Sequence, residues 1–114
     1  MQQLDIKDKS YLWDICEACK DILEFTANIS FQEFSEKKII RYAVERQILV
    51  IGEAANHLSK NFIDSTSEIP WKKIIGMRNI IAHEYGEILV ERIWLTAKNH
   101  IDELLKNTQK YLEE

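Results

Sequence analysis

The stretch Lys38-Ile39-Ile40-Arg41-Tyr42-Ala43-Val44-Glu45-Arg46-Gln47-Ile48-Leu49-Val50-Ile51-Gly52-Glu53-Ala54-Ala55-Asn56-His57-Leu58 has one glycine and no proline, and its apolar residues return at the period of an α-helix. With Ser35 as N-cap, the helix is expected from about Ser35 to Phe62. Turning by about 100° per residue, Ile40, Ala43, Val44, Gln47, Ile51, Ala54, Ala55, Leu58 and Phe62 share one broad face, which packs inside the monomer. Ile39, Tyr42, Leu49 and Val50 fall outside it or at its edge. Only a narrow wedge of Lys38, Glu45, Gly52, Asn56 and Ser59 is clearly polar. A helix apolar nearly all round is buried on more than one side. In a chain of 114 residues the second side implies a partner, and a homodimer is expected. Arg46, Glu53 and His57 stand among the outer apolar residues. Charged groups in such surroundings need partners. Arg46 and Glu53 either support an active site from behind, or form an interface salt bridge, or extend their charges to water.

The segments on either side repeat the pattern. Before it, Leu12, Ile15, Cys16, Cys19, Ile22, Leu23 and Thr26 form a stripe on a helix from about Asp5 to Asn28, with a short link around Phe31 to Phe34. Cys16 and Cys19 lie inside that stripe. No second cysteine pair completes a zinc site and no strand precedes them as in a redox motif, so both read as core. After it, the Ser/Thr/Asp-rich loop from Asp64 to Ile69 leads to Pro70, suited to the first turn of a third helix. Gly86 marks that helix's end. A fourth stripe of Val90, Ile93, Trp94, Ala97, Ile101, Leu104, Leu105, Thr108 and Leu112 covers about Glu87 to Leu112, with His100 one residue off it. The expected fold is all-α, an antiparallel four-helix bundle forming one domain over residues 1–114.

One proline and three glycines suit long helices better than a turn-rich β fold. No apolar run approaches the roughly 20 residues of a membrane span. The charged start, with Asp5, Lys7, Asp8 and Lys9, does not read as a secretory leader, so a cytoplasmic protein is expected. The net charge of −4 is unusual for a nucleic-acid binder. Lys37, Lys38, Arg41 and Arg46 nevertheless cluster on the second helix, and Lys72, Lys73 and Arg78 on the third. A local basic cleft on an acidic body would bind RNA modestly and with strong salt dependence.

The third helix carries the densest chemistry: Met77-Arg78-Asn79-Ile80-Ile81-Ala82-His83-Glu84-Tyr85-Gly86. Arg78 is a permanent cation with a fork of donors suited to phosphate. His83 can take and give protons near neutral pH. The two lie roughly 140° apart on an ideal helix, so the helix is expected to end near His83 or the long arginine to reach across. This motif resembles the signature of the HepT-like branch of the HEPN superfamily of small helical ribonucleases: Arg, a polar residue (Asn79), a short spacer, His, and then the branch's Tyr (Tyr85). Ala43-Val44-Glu45-Arg46 with Ile51-Gly52-Glu53-Ala54 is similar to that family's second helix, and Ile69-Pro70-Trp71 with Gly76-Met77-Arg78-Asn79 to its lead-in.

No group of convergent carboxylates stands near the motif, so a metal-independent site with no cofactor is expected. RNA carries its own nucleophile, the 2′-hydroxyl. His83 could serve as base or acid, and Arg78 could hold the phosphate through its transition state, with Asn79, Arg46 and Glu53 in support. Acid and base together need two groups, and a dimer opposing two motifs would supply a second His83. The resemblance implies the same arrangement. It further implies a toxin–antitoxin module in which a cognate minimal nucleotidyltransferase silences the toxin by attaching AMP to the motif tyrosine, here Tyr85. Two other readings stay open. Arg78 and His83 could be cations favoured at a helix C-terminus. The chain could instead be a non-catalytic helical partner that binds substrate or nucleotide for the transferase.

Overall fold

Seven helices make up the computed structural model, which describes residues 4–113: α1 (Ile6–Phe25), α2 (Phe31–Glu36), α3 (Lys38–His57), α4 (Lys60–Ser65), α5 (Trp71–His83), α6 (Gly86–Asn99) and α7 (Ile101–Leu112). Among the described residues there is no strand, and no helix is long and apolar enough to cross a membrane. The four expected helical regions are present, but two are divided and one short helix is added.

The added helix has a local cause. Ser30 accepts from the Glu33 backbone N–H while the Glu33 carboxylate accepts from the Ser30 N–H, a complete capping box that starts α2. Ser35, expected as the cap of the long helix, lies inside α2 and donates its hydroxyl to the Gln32 carbonyl. Lys37 takes the cap position of α3 in an extended conformation, without a side-chain cap.

The long second helix divides at Leu58, whose ψ of 146° is extended. Ser59 then caps α4 by accepting from the Phe62 N–H at 3.1 Å. Asp8 of α1, 4% exposed, accepts from both the Ser59 N–H (2.8 Å) and its hydroxyl (2.6 Å). A buried carboxylate held by two donors 51 positions along the chain fixes this break, and no local pattern announces it. The fourth expected helix divides at His100, where φ of −124° departs from helical values and the weak helix formers Asn99 and His100 meet.

The core joins one stripe from each of three regions. Leu12, Ile15, Cys19 and Ile22 of α1 meet Val44, Ile48, Ile51 and Ala55 of α3 and Ile93, Ala97, Ile101 and Leu104 of α6 and α7, all buried. Cys16 Sγ lies 3.3 Å from the Thr108 hydroxyl, and burial pushes the Cys19 thiol up to about 12. Neither thiol is available as a thiolate, in keeping with their place in the core. α1 packs against both α3 and α7, whereas the principal partner of α5 is α3. The motif helix thus sits at the flank of the core, with Trp71 as its one buried residue, and Trp71 Nε1–H donates to Thr66 Oγ1 at 2.9 Å.

Candidate active site

α5 brings Arg78 onto α3 and leaves His83 in its own last turn. Both follow from helix geometry. Ile74, Arg78 and Ile81 recur on the side of α5 that meets α3, while His83 points well away from it. The helix stops where the sequence indicated: Glu84 is its C-cap in an extended conformation, and its N–H still donates to the Ile80 carbonyl. Tyr85 is also extended, and Gly86 has φ of +69°, a left-handed value that glycine adopts without strain. The chain turns there directly into α6.

Arg78 is half-buried. Its Nε–H donates to Glu53 Oε1 at 2.8 Å, across the α3–α5 contact. Among the described residues no other acceptor engages the guanidinium. The two terminal nitrogens therefore form a fork with free donors, the arrangement that binds a phosphate through two parallel hydrogen bonds. The second carboxylate oxygen of Glu53 lies 4.0 Å from His57 Nε2, and the His57 ring stacks on Tyr11 with centroids 5.3 Å apart. Glu53 is thus flanked by Arg78 on one side and His57 on the other. Arg46 lines the same shallow hollow of about 210 Å³ as Glu53 and His57, but it is exposed and makes no ion pair among the described residues. The expected outer set divides: Glu53 touches the motif arginine directly, and Arg46 stands beside it in water.

His83 is exposed, with no hydrogen bond or ion pair among the described residues. Asn79 is likewise exposed, on the outer side of α5. Glu84 is tied to Arg92 of α6 by an ion pair at 3.1 Å, so the carboxylate nearest His83 in sequence is committed to another cation. Tyr85 is 81% exposed. Lys72 and Lys73 are exposed on α5. Of the second-helix cations, Arg41 is engaged by the Ser35 carbonyl and lies over the Tyr42 ring, and Lys37 pairs with Glu33. Burial pushes the Glu45 carboxyl above its usual range, against the pull of nearby Arg41. Among the described residues no three His, Cys, Asp or Glu side chains gather so as to hold a metal ion. A separate groove of about 610 Å³ runs between α5 and α7, lined in part by Ile48, Ile51, Met77, Ile80 and Leu104, and neither Arg78 nor His83 lines it.

Two features escaped the sequence. Gly52, placed in the solvent-facing wedge of α3, is buried beneath the Arg78 side chain. A lone glycine inside a strongly helical run was the available sign, since it marks a close approach. The Tyr11–His57 stack left no sign at all, because residues on two helices meet there without any local pattern.

Comparison with known proteins adds an independent line. The family described as Ribonuclease HepT-like matches residues 15–111, a span that includes Glu53, Arg78, His83 and Tyr85. A protein of Methanocaldococcus jannaschii named as a candidate RNase is 36% identical over 109 residues, covering 96% of this chain and 98% of its own. A second protein of that organism, named likewise, is 38% identical over 114 residues, covering 100% and 93%. A Thermococcus cleftensis protein named as a probable ribonuclease HepT is 37% identical over 102 residues, covering 90% and 93%. No solved structure matches the chain.

Proposed function

The chain belongs to the HepT-like ribonuclease family, and from that premise we propose that it is a metal-independent endoribonuclease whose reaction is carried by Arg78 and His83. The observation that carries this reading is the Arg78 guanidinium, oriented by Glu53 through Nε with its terminal nitrogens free, on the helix that ends in an exposed His83. His83 takes the proton from a ribose 2′-hydroxyl. The 2′-oxygen bonds to phosphorus, the bond to the 5′-oxygen breaks, and a second imidazole returns a proton to that leaving oxygen. The products are a 2′,3′-cyclic phosphate and a free 5′-hydroxyl. Arg78 binds the phosphate and stabilises the charge that builds on it.

The second imidazole comes from another copy of the chain. In this reading α3–α4 and α6–α7 each act as one broken helix of an antiparallel four-helix HEPN-type bundle, and two bundles pair so that their motifs face one another. The module reading follows from the same family: a cognate minimal nucleotidyltransferase acts as antitoxin and attaches AMP to Tyr85, whose exposure leaves its hydroxyl open to such an enzyme.

Digestion of RNA by the purified protein in EDTA, wild type against His83→Ala, tests the chemistry. The wild type should cut in EDTA, and His83→Ala should be slower by at least about a hundredfold. A fully active His83→Ala, or cutting that EDTA abolishes, rules the mechanism out.

A further inference from the structure

We propose that Gly52 is a positioning residue for Arg78: the side chain it lacks leaves the seat over which the arginine stem lies. A Cβ at position 52 would stand 2.7 Å from Arg78 Cγ, 3.1 Å from Cδ and 3.5 Å from the Ile74 carbonyl oxygen. Carbon atoms settle at roughly 3.5–4.0 Å, so the first approach cannot be kept. The atoms struck belong to the stem of Arg78, not its tip, and swinging the guanidinium aside does not relieve them. The stem must lift off α3, which pulls Nε away from its 2.8 Å bond to Glu53. Gly52 lies inside α3 and its φ is not in the left-handed region, so backbone conformation does not call for a glycine there. Alanine is the better helix former, and the space taken by Arg78 is the remaining reason for glycine. Gly76, inside α5, is the contrast: a Cβ there meets nothing within 4 Å.

The catalytic consequence rests on the reading of Arg78 as the phosphate ligand, whereas the seat itself does not. The test therefore has two readouts, applied to wild type, Gly52→Ala and Gly76→Ala. The first is the Arg78 Nε–H resonance by NMR, assigned by its loss in Arg78→Lys, with its rate of exchange with water. Wild type and Gly76→Ala should keep a protected Nε–H, and Gly52→Ala should lose that protection. The second is RNA cleavage: kcat should fall between about ten- and a hundredfold in Gly52→Ala and stay unchanged in Gly76→Ala. A Gly52→Ala protein that keeps a protected Nε–H overturns the proposal; one that loses it yet cuts at the wild-type rate supports the seat and overturns Arg78 as the phosphate ligand. Should Gly52→Ala fail to fold, the double variant Gly52→Ala/Arg78→Ala decides: recovery of the wild-type melting temperature supports the seat, and persistent unfolding overturns it. If even the wild type does not cut RNA, the proposed function fails, and the exchange measurement still judges the seat.

Discussion

Tyr85 stands two residues beyond His83, 81% exposed, at the N-cap of α6 with no side-chain hydrogen bond to that helix. Among the described residues no hydrogen bond or ring contact holds it, so its hydroxyl can enter another enzyme's active site without unfolding. Attaching AMP would add one negative charge in a phosphodiester, together with an adenosine, two residues beyond His83. The free donors of Arg78 are the natural partners for that charge. Incubation with the cognate nucleotidyltransferase and ATP should add the mass of one or more AMP groups to the wild type and nothing to Tyr85→Phe, read by intact-mass spectrometry. A gain that persists in Tyr85→Phe puts the modification elsewhere. Tyr85 and His83 were legible because both lie within a few residues of a helix end marked by Gly86, and local rules reach that far. The partner of Glu53 was not. The sequence grouped Glu53 with Arg46 among the outer apolar residues and named no partner for it, and the ion pair forms with Arg78 across an interhelical contact that only packing creates.

Elements joined by few contacts are where titration should show. Glu68, in the loop before α5, accepts from the Tyr111 hydroxyl of α7 at 2.6 Å, with Lys110 at 3.9 Å. That hydrogen bond holds the Glu68 carboxyl below its usual range. A depressed carboxylate contributes stability above its unfolded-state pKa and loses it as pH falls through the lower folded value. Tyr111→Phe should therefore lower stability by about 0.5–1 kcal/mol at neutral pH, the low end for a hydrogen bond because the pair is exposed. The gap should close as pH falls below the ordinary value of 4.5. Melting curves of both proteins from pH 7 to pH 3 check this, and a gap independent of pH contradicts it. At this scale the stripes were readable and the breaks only partly so. The Ser30–Glu33 capping box is written plainly in the sequence, and the segment around Phe31 to Phe34, expected as a link, is the helix it starts. The break at Leu58 depends on Asp8, far along the chain, and was beyond any local reading.

The whole molecule leaves one face of α3 without a cover. Ile39 is 85% and Tyr42 57% exposed, with Leu49 half-buried farther along the same stripe. Residues 39, 42, 46, 49 and 53 recur at three and four, so Arg46 and Glu53 lie within that stripe. Two copies paired along it would bury the apolar residues that a monomer exposes to water. The same pairing would bring two Glu53–Arg78 clamps to one seam, where each reacting phosphate could meet a proton donor from the opposite copy. The dimer and the chemistry are therefore one proposal with two consequences. Light scattering at micromolar concentration should give twice the 13.5 kDa chain mass. The double substitution Ile39→Glu/Tyr42→Glu touches only exposed side chains, so the folded monomer should keep its helical content and lose little stability. Its mass should drop to that of one chain, and RNA cleavage should fall by at least about a hundredfold, the contribution of a missing acid or base. A wild type that is monomeric, or a monomeric variant that cuts at full rate, would return the second proton to a group within one chain. His57, 4.0 Å from Glu53, would then be the first residue to test.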